Sequence, residues 1–315
     1  MADPIRVAVV GLGKIAHDQH LPAIAGDPGF QLVATASTDG AGMAGVPCFS
    51  SLDALLASGI AVDAVVLCTP PQVRHQLAAR AIAAGKHVFL EKPPGATLAE
   101  VAMLEADARA AGVTLFASWH SRHAAGVAPA RAWLAEREIR GATIIWREDA
   151  RVWHPGQAWI WEPGGLGVFD PGINALSIAT HILPRPFFLE RGMLSVPANR
   201  AAPIAADLLF RDARGAAISM DLDWRQTGPQ SWNIHVETDR GTLVMERGGA
   251  VLTLPGGEAR IAEDREYADL YARFAELVRA RASDVDIAPM RLVADAFLRC
   301  DRRTVEEFHD PADGA

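Results

Sequence analysis

Cysteine is scarce in this chain: Cys48, Cys68 and Cys300 stand far apart among 315 residues. An odd number at such spacings excludes a disulfide framework and the paired spacing of a zinc site. Charge is modest too, at 22% of residues, and contains no run of Lys or Arg. With a net charge of −8, the chain has no electrostatic footprint for nucleic acid or an anionic membrane, and neither is expected as a partner. No apolar stretch approaches the length of a membrane span. Residues 1–6 lead straight into an apolar strand, without the charged start and long apolar stretch of a signal peptide, so a reducing cytoplasm is the expected setting. Repeats and low-complexity segments are also missing.

What is present is apolar material for burial, 50% of residues. A chain of 315 residues exceeds the ~250 at which single cores usually stop growing, so two domains are expected. Residues 5–10 form an apolar run that ends in Gly11, and 14–25 read as a helix. Apolar runs recur at 31–37, 64–68, 87–90 and 114–117, separated by helical stretches at 51–57, 72–84 and 97–110. This βα alternation predicts a doubly wound parallel sheet with helices on both faces, because each parallel crossover must run back over the sheet. The pattern ends near Trp119, which places a first α/β domain over residues 1–120 and a second domain over 121–315. In the second, 129–137 reads as a helix and 143–147 as a strand, while 148–167 is a Trp-, Pro- and Gly-rich stretch with the features of a functional loop. Short alternating stretches such as 217–224 and 233–237 read as antiparallel strands. Helical patterns at 267–281 and 289–299 complete an α+β domain.

The turn Gly11-Leu12-Gly13-Lys14-Ile15-Ala16 matches G-x-G-x-x-G/A between a strand and a helix. Gly11 permits the tight turn, Gly13 lets a pyrophosphate approach the backbone, and Ala16 is small enough for close helix–strand packing. At the end of the second strand, the acidic residue that would hold a ribose is replaced by Ser37, with Thr38 and Asp39 following. Ser37 and Thr38 can bond a 2′-phosphate or a 2′-hydroxyl. No Arg is nearby and Asp39 would repel a phosphate, so NAD is favoured slightly over NADP. Ligands of open α/β sheets bind outside the carboxyl ends of the strands. Those ends carry Thr69-Pro70-Pro71, Glu91-Lys92-Pro93 and Trp119-His120.

In the second domain, Asp170 precedes Pro171 and an apolar helical stretch at 175–182, which makes a helix N-cap its plain structural reading. If the helix includes Asp170, then Asp170 and Asn174 share a face and offer an acid and an amide to a sugar hydroxyl. Trp153, Trp159 and Trp161 offer apolar faces to a pyranose ring or pack the interior, and Glu148 and His154 are candidate hydroxyl ligands. Trp232 is a weaker candidate of the same kind. His17, His20 and His75 bring no second ligand set, so no metal is expected.

The early glycine turn, Glu91-Lys92-Pro93 and the segment Gly164-Gly165-x-x-x-x-Asp170-x-Gly172 together resemble the Gfo/Idh/MocA oxidoreductases. The resemblance covers nearly the whole chain. It implies a Rossmann domain, then an open-faced, mainly antiparallel sheet through which homo-oligomers are built, and catalytic roles for Lys92 and Asp170. It further implies NAD or NADP held by Gly11, Gly13, Lys14, Ile15, Ser37, Thr38, Cys68, Thr69, Pro70, Pro71, His75, Glu91 and Lys92. Many members carry His where this chain has Asn174, and an amide cannot act as an acid or base at ordinary pH. Asn174 with Trp153-His154-Pro155-Gly156-Gln157 and Trp159-Ile160-Trp161-Glu162-Pro163 is similar to members that oxidise cyclic aldoses such as L-arabinose and D-galactose at the anomeric carbon. The implied substrate contacts are His120, Glu148, Trp153, His154, Asn174 and Trp232. Oxidation of another polyol or a dihydrodiol, or a non-catalytic sensor that binds NAD(P), are the alternatives.

Overall fold

The computed structural model describes residues 3–40 and 42–310, so the outermost ends of the two expected domains, 1–2 and 311–315, lie outside it. Among the described residues the chain divides into two compact units: the first runs to residue 119 and includes 267–287, and the second comprises 120–266 with the residues from 288 on.

Among the described residues the first unit contains six strands: β1 (Ile5–Val10), β2 (Phe30–Ala36), β3 (Cys48–Phe49), β4 (Ala64–Leu67), β5 (His87–Leu90) and β6 (Leu115–Ala117). They form one sheet in the order β3-β2-β1-β4-β5-β6, parallel throughout. Strand order reverses between β1 and β4, and the crevice beyond their carboxyl ends is where such sheets receive dinucleotides. The helix after β1 runs over residues 14–26 and contains a π-helical stretch, Ala16–His20, just before Pro22. Proline supplies no N–H and crowds the carbonyl of the preceding turn, which is a cause of such bulges.

The structure differs from the two-block division in one respect: residues 267–287 belong to the first unit. The reason is packing. Tyr267, Leu270, Tyr271 and Phe274, on one face of the helix Glu266–Ala280, enter the same core as Val7, Val9, Phe30, Phe89 and Phe116. Periodicity shows that a helix has an apolar face, but not which sheet that face will cover.

In the second unit nine further strands follow: β7 (Ile139–Arg147), β8 (Phe187–Pro197), β9 (Ala205–Asp212), β10 (Ala217–Asp223), β11 (Ser231–Thr238), β12 (Gly241–Glu246), β13 (Val251–Thr253), β14 (Arg260–Ile261) and β15 (Asp301–Val305). Their order is β14-β13-β12-β11-β7-β10-β9-β8-β15. The sheet is mixed: β7 with β10 and β8 with β15 are parallel pairs, and the other neighbours are antiparallel. Ala142, Ile144 and Trp146 of β7 are buried on one face, whereas Thr143, Ile145 and Arg147 on the other are exposed or half-buried. Strand β7 begins four residues before the expected 143, and the helix expected over 129–137 is Val127–Leu134. The Trp-rich stretch holds a short helix, Ala150–Trp153, and a 3₁₀ turn, Ala158–Ile160. No helix among the described residues is long and apolar enough to cross a membrane.

Candidate active site

In the first unit the glycine turn leaves β1 with Gly11 at φ +88°, its N–H donating to the Ala36 carbonyl at 2.8 Å. A Cβ at Gly11 would stand 3.0 Å from Thr69 Cγ2 and from the Thr69 nitrogen, so the turn lies directly against the chain leaving β4. Gly13 is the opposite case: it is exposed, and an added Cβ would meet no atom within 4 Å. The backbone there presents an open cradle at a helix start, which suits a pyrophosphate. Lys14 beside it is exposed and pairs with Asp18, and Ile15 is half-buried against the sheet core.

At the end of β2 the Ser37 hydroxyl donates to the Asp39 carboxylate, and Thr38 is exposed. At the end of β4, Cys68 is a neutral thiol, pushed well up by burial and by the nearby Glu91 carboxylate. Thr69 Oγ1 and His75 Nε2 are buried with no hydrogen-bond partner among the described residues. The orphaned Thr69 hydroxyl beside the glycine turn fits a bound dinucleotide, which would supply the missing partner. Pro70 and Pro71 open the helix Pro71–Ala83, where the missing N–H costs nothing.

Residues 91–93 leave β5 under tight constraint. The buried Arg74 guanidinium donates to the carbonyls of Thr69, Glu91 and Pro93, which ties the ends of β4 and β5 together. Glu91 is 3% exposed; its carboxylate accepts from the Tyr267 hydroxyl at 2.7 Å, from His20 Nε2 at 3.2 Å and from the Lys92 N–H at 2.6 Å. His20 Nδ1 lies 2.9 Å from the Tyr271 hydroxyl. No partner for His20 is visible along the sequence, because its partners Glu91 and Tyr271 lie 71 and 251 residues away. Lys92 itself is half-buried at the strand end.

In the second unit the helix starts earlier than expected, at Phe169, with Val168 as its cap residue. Asp170 is therefore not the N-cap but lies inside the first turn, 4% exposed, where the N-terminal dipole favours a carboxylate. Asn174 follows one turn later on the same face and is half-buried. Glycine in this segment is required by close approach: a Cβ at Gly165 would fall 2.2 Å from the Ile160 carbonyl oxygen, and one at Gly172 2.7 Å from Leu222 Cδ1.

Glu148, at the end of β7, is 2% exposed and accepts from the indole N–H groups of Trp232 at 2.7 Å and Trp224 at 3.2 Å. His154 stands between two carboxylates, with Nε2 3.3 Å from Glu148 Oε1 and Nδ1 3.7 Å from Asp170 Oδ2. Trp224 carries no sequence signal that marks it as part of this group, and it is wholly buried. Trp161 packs between Trp224 and Phe308 and belongs to the interior. Trp153 is 39% exposed and leans on Trp232 at 5.0 Å between ring centroids, which leaves aromatic surface for an apolar sugar face. His120 Nδ1 pairs with Glu266 at 2.5 Å. A cavity of about 380 Å³ beside Trp232 is lined by Pro229, Gln230, Asn233, Glu246 and Arg247, and does not include Asp170. No group of three potential metal ligands occurs among the described residues.

The family profile described as "Oxidoreductase family, NAD-binding Rossmann fold" matches residues 5–118. Galactose 1-dehydrogenase of Pseudomonas fluorescens is 48% identical over 307 residues, covering 98% of this chain and 99% of that protein. The crystal structure of D-galactose-1-dehydrogenase from Rhizobium etli superposes with a TM-score of 0.94 at 55% identity, covering 98% of this chain and 99% of the other. A 3-ketoreductase from Actinomadura kijaniata, in complex with TDP-benzene and NADP, shares the fold at 22% identity and a TM-score of 0.80, over 96% and 99% of the two chains.

Proposed function

Because the chain belongs to the Gfo/Idh/MocA oxidoreductase family, we propose that it is an aldose 1-dehydrogenase that oxidises the anomeric carbon of D-galactose, and of L-arabinose, to the lactone. The two sugars share their ring configuration and differ by a hydroxymethyl group, so one pocket can take both. The observation that carries this reading is the row Glu148, His154, Asp170, with Asn174 one turn on, in a chain 48% identical over its length to a galactose 1-dehydrogenase.

The anomeric C–H leaves as hydride and the O–H as a proton, while the C=O of the lactone forms between them. When bound, the nicotinamide supplies the two-electron acceptor. Gly11, Gly13, Ser37, Thr69 and His75 would hold the cofactor. The Ser37 hydroxyl, turned to Asp39, places a carboxylate at the end of β2 and favours the free 2′-hydroxyl of NAD over the phosphate of NADP. Asn174 cannot titrate, so the proton falls to Asp170 and Lys92. Asp170 accepts it, and Lys92 donates a hydrogen bond to the anomeric oxygen. Glu148 holds the Trp232 indole and His154 in place, and His154 and Asn174 bond the sugar hydroxyls. Trp153 stacks on the ring and His120, oriented by Glu266, contributes a further donor. Assembly through the exposed face of the nine-stranded sheet is part of the same proposal and is read from the molar mass by light scattering.

The test is the absorbance of reduced cofactor at 340 nm with purified protein, NAD or NADP, and a panel of aldoses, inositol and a dihydrodiol. Turnover with D-galactose and L-arabinose is expected. Absence of turnover with every aldose refutes the reading.

A further inference from the structure

Glu91 is a buried carboxylate with an expensive environment. Its oxygens accept three hydrogen bonds, from Tyr267, His20 and the Lys92 backbone, and neither side-chain donor has a part in the sugar chemistry. A buried charge is seldom the most stable filling for a core, since a well-packed apolar group often does as well or better. Its retention therefore calls for a second reason. His20 is wholly buried, edge-on to Phe89, Tyr267 and Tyr271 at centroid distances of 5.4, 5.0 and 5.9 Å. When its Nε2–H donates to Glu91, the neutral ring leaves Nδ1 to accept from the Tyr271 hydroxyl. The tyrosines lie four apart on one helix face, and His20 comes from the helix that begins at the glycine turn. Two separate chain segments thus converge on one carboxylate, and that carboxylate holds the nitrogen of Lys92. On the carbonyl side of Glu91, Arg74 closes the same clamp.

We propose that His20, Tyr267 and Tyr271 are positioning residues for Lys92, acting through Glu91: the network fixes the backbone from which the lysine side chain springs, and so the place of its ammonium group. The inference rests on the role for Lys92 given above. A misplacement of about 1 Å in a catalytic group is enough to cost a large factor in rate. Ground-state sugar binding by the second unit should be left nearly untouched.

Tyr267→Phe keeps the ring and removes one donor to Glu91. With D-galactose and NAD, kcat is expected to fall about tenfold, the weight of one hydrogen bond to a charged group, while KM for sugar and Kd for reduced cofactor stay within about twofold. Glu91→Gln, which keeps an acceptor for the Lys92 N–H, should retain more activity than Glu91→Ala. A readout independent of turnover comes from the chain's three lysines, Lys14, Lys86 and Lys92. Acetylation rates mapped by mass spectrometry should change for Lys92 in Tyr267→Phe and stay constant for Lys14 and Lys86. If Tyr267→Phe does not fold, Tyr271→Phe carries the same test from the far end of the network. Wild-type kcat in the variant, or a Lys92 rate that does not move relative to the other two, overturns the proposal. Inactivity of the unmodified protein on all aldoses would instead refute the substrate reading, and the acetylation rates would still decide this one.

Discussion

Replacing Gly13 with alanine separates a structural glycine from one that makes room for a ligand. The added methyl group meets no protein atom within 4 Å, and Gly13 does not have a positive φ. Alanine at such a site reduces the freedom of the unfolded chain and stabilises by about 0.4–1 kcal/mol. For a unit of this size that corresponds to a Tm increase of about 1–4 °C. The cofactor feels the opposite effect. A methyl group in the cradle pushes the pyrophosphate away from the helix N-terminus and removes at least one charge-assisted hydrogen bond, worth about 1.5–3 kcal/mol. Kd should therefore rise about 10- to 150-fold. Gly11→Ala should behave differently, since it combines φ +88° with contacts of 3.0 Å to Thr69, and it should lower Tm. Fluorescence titration with reduced cofactor and a thermal melt on each variant are sufficient. A Gly13→Ala protein that is more stable yet binds cofactor with unchanged Kd would show that the pyrophosphate does not approach this turn.

Asp170→Asn and Lys92→Ala should each lower kcat by about 100-fold or more, whereas Asn174→Ala should mainly raise KM for sugar; near-normal turnover in Asp170→Asn would leave the proton to lysine alone. Asp39→Ala should improve use of NADP relative to NAD by removing a repulsive carboxylate, and an unchanged ratio of kcat/KM values would show that Asp39 points away from the ribose. Glu148→Gln cannot accept equally from the two indoles and removes the negative charge beside His154, so KM for galactose should rise with kcat less affected; an unaltered KM would remove Glu148 from the substrate-binding group. Burial and, next, the charge of Arg281 hold the His87 imidazole below 6.5, against a smaller upward pull from Asp63, and its Nδ1 accepts the Thr114 N–H at 2.9 Å. The unfolded state then binds the proton more readily, so the stabilisation is complete above about pH 6.5 and is lost as pH falls below it. Melts between pH 7.5 and 5.5 should show a smaller pH slope for His87→Asn than for wild type, and equal slopes would refute the assignment.

Five of the six strands of the first sheet could be derived from sequence because they are short apolar runs, each bounded by a glycine, a proline or a helix signal, and parallel crossovers allow few other arrangements; the two-residue β3 is too short to leave such a run. The capping box of Thr97 with Glu100 is equally local, and sets the start of the helix Leu98–Ala111. The placement of the glycine turn and Lys92 at strand ends, and of Asp170 near a helix start, was legible for the same reason: each lies within a few residues of the strand or helix that presents it. Of the two placements that the sequence left open for Asp170, Asp before Pro suits an N-cap, but the helix starts two residues earlier than that, with Val168 as its cap, and so includes Asp170.

Partnership was another matter. The return of the helix Glu266–Ala280 to the first unit, the parallel placement of β7 beside β10, and the attachment of β15 to β8 depend on which apolar faces find each other after the chain has turned through scores of residues. The same holds for the two buried carboxylates. Sequence alone placed Glu148 among sugar ligands and saw no partner for His20. Tertiary structure surrounds Glu148 with Trp224, Trp232 and His154, and joins His20 to Glu91 and Tyr271. Hydrogen-bond acceptors buried this deeply must be satisfied by whatever donors the fold brings to them, and that choice is made in space rather than along the chain.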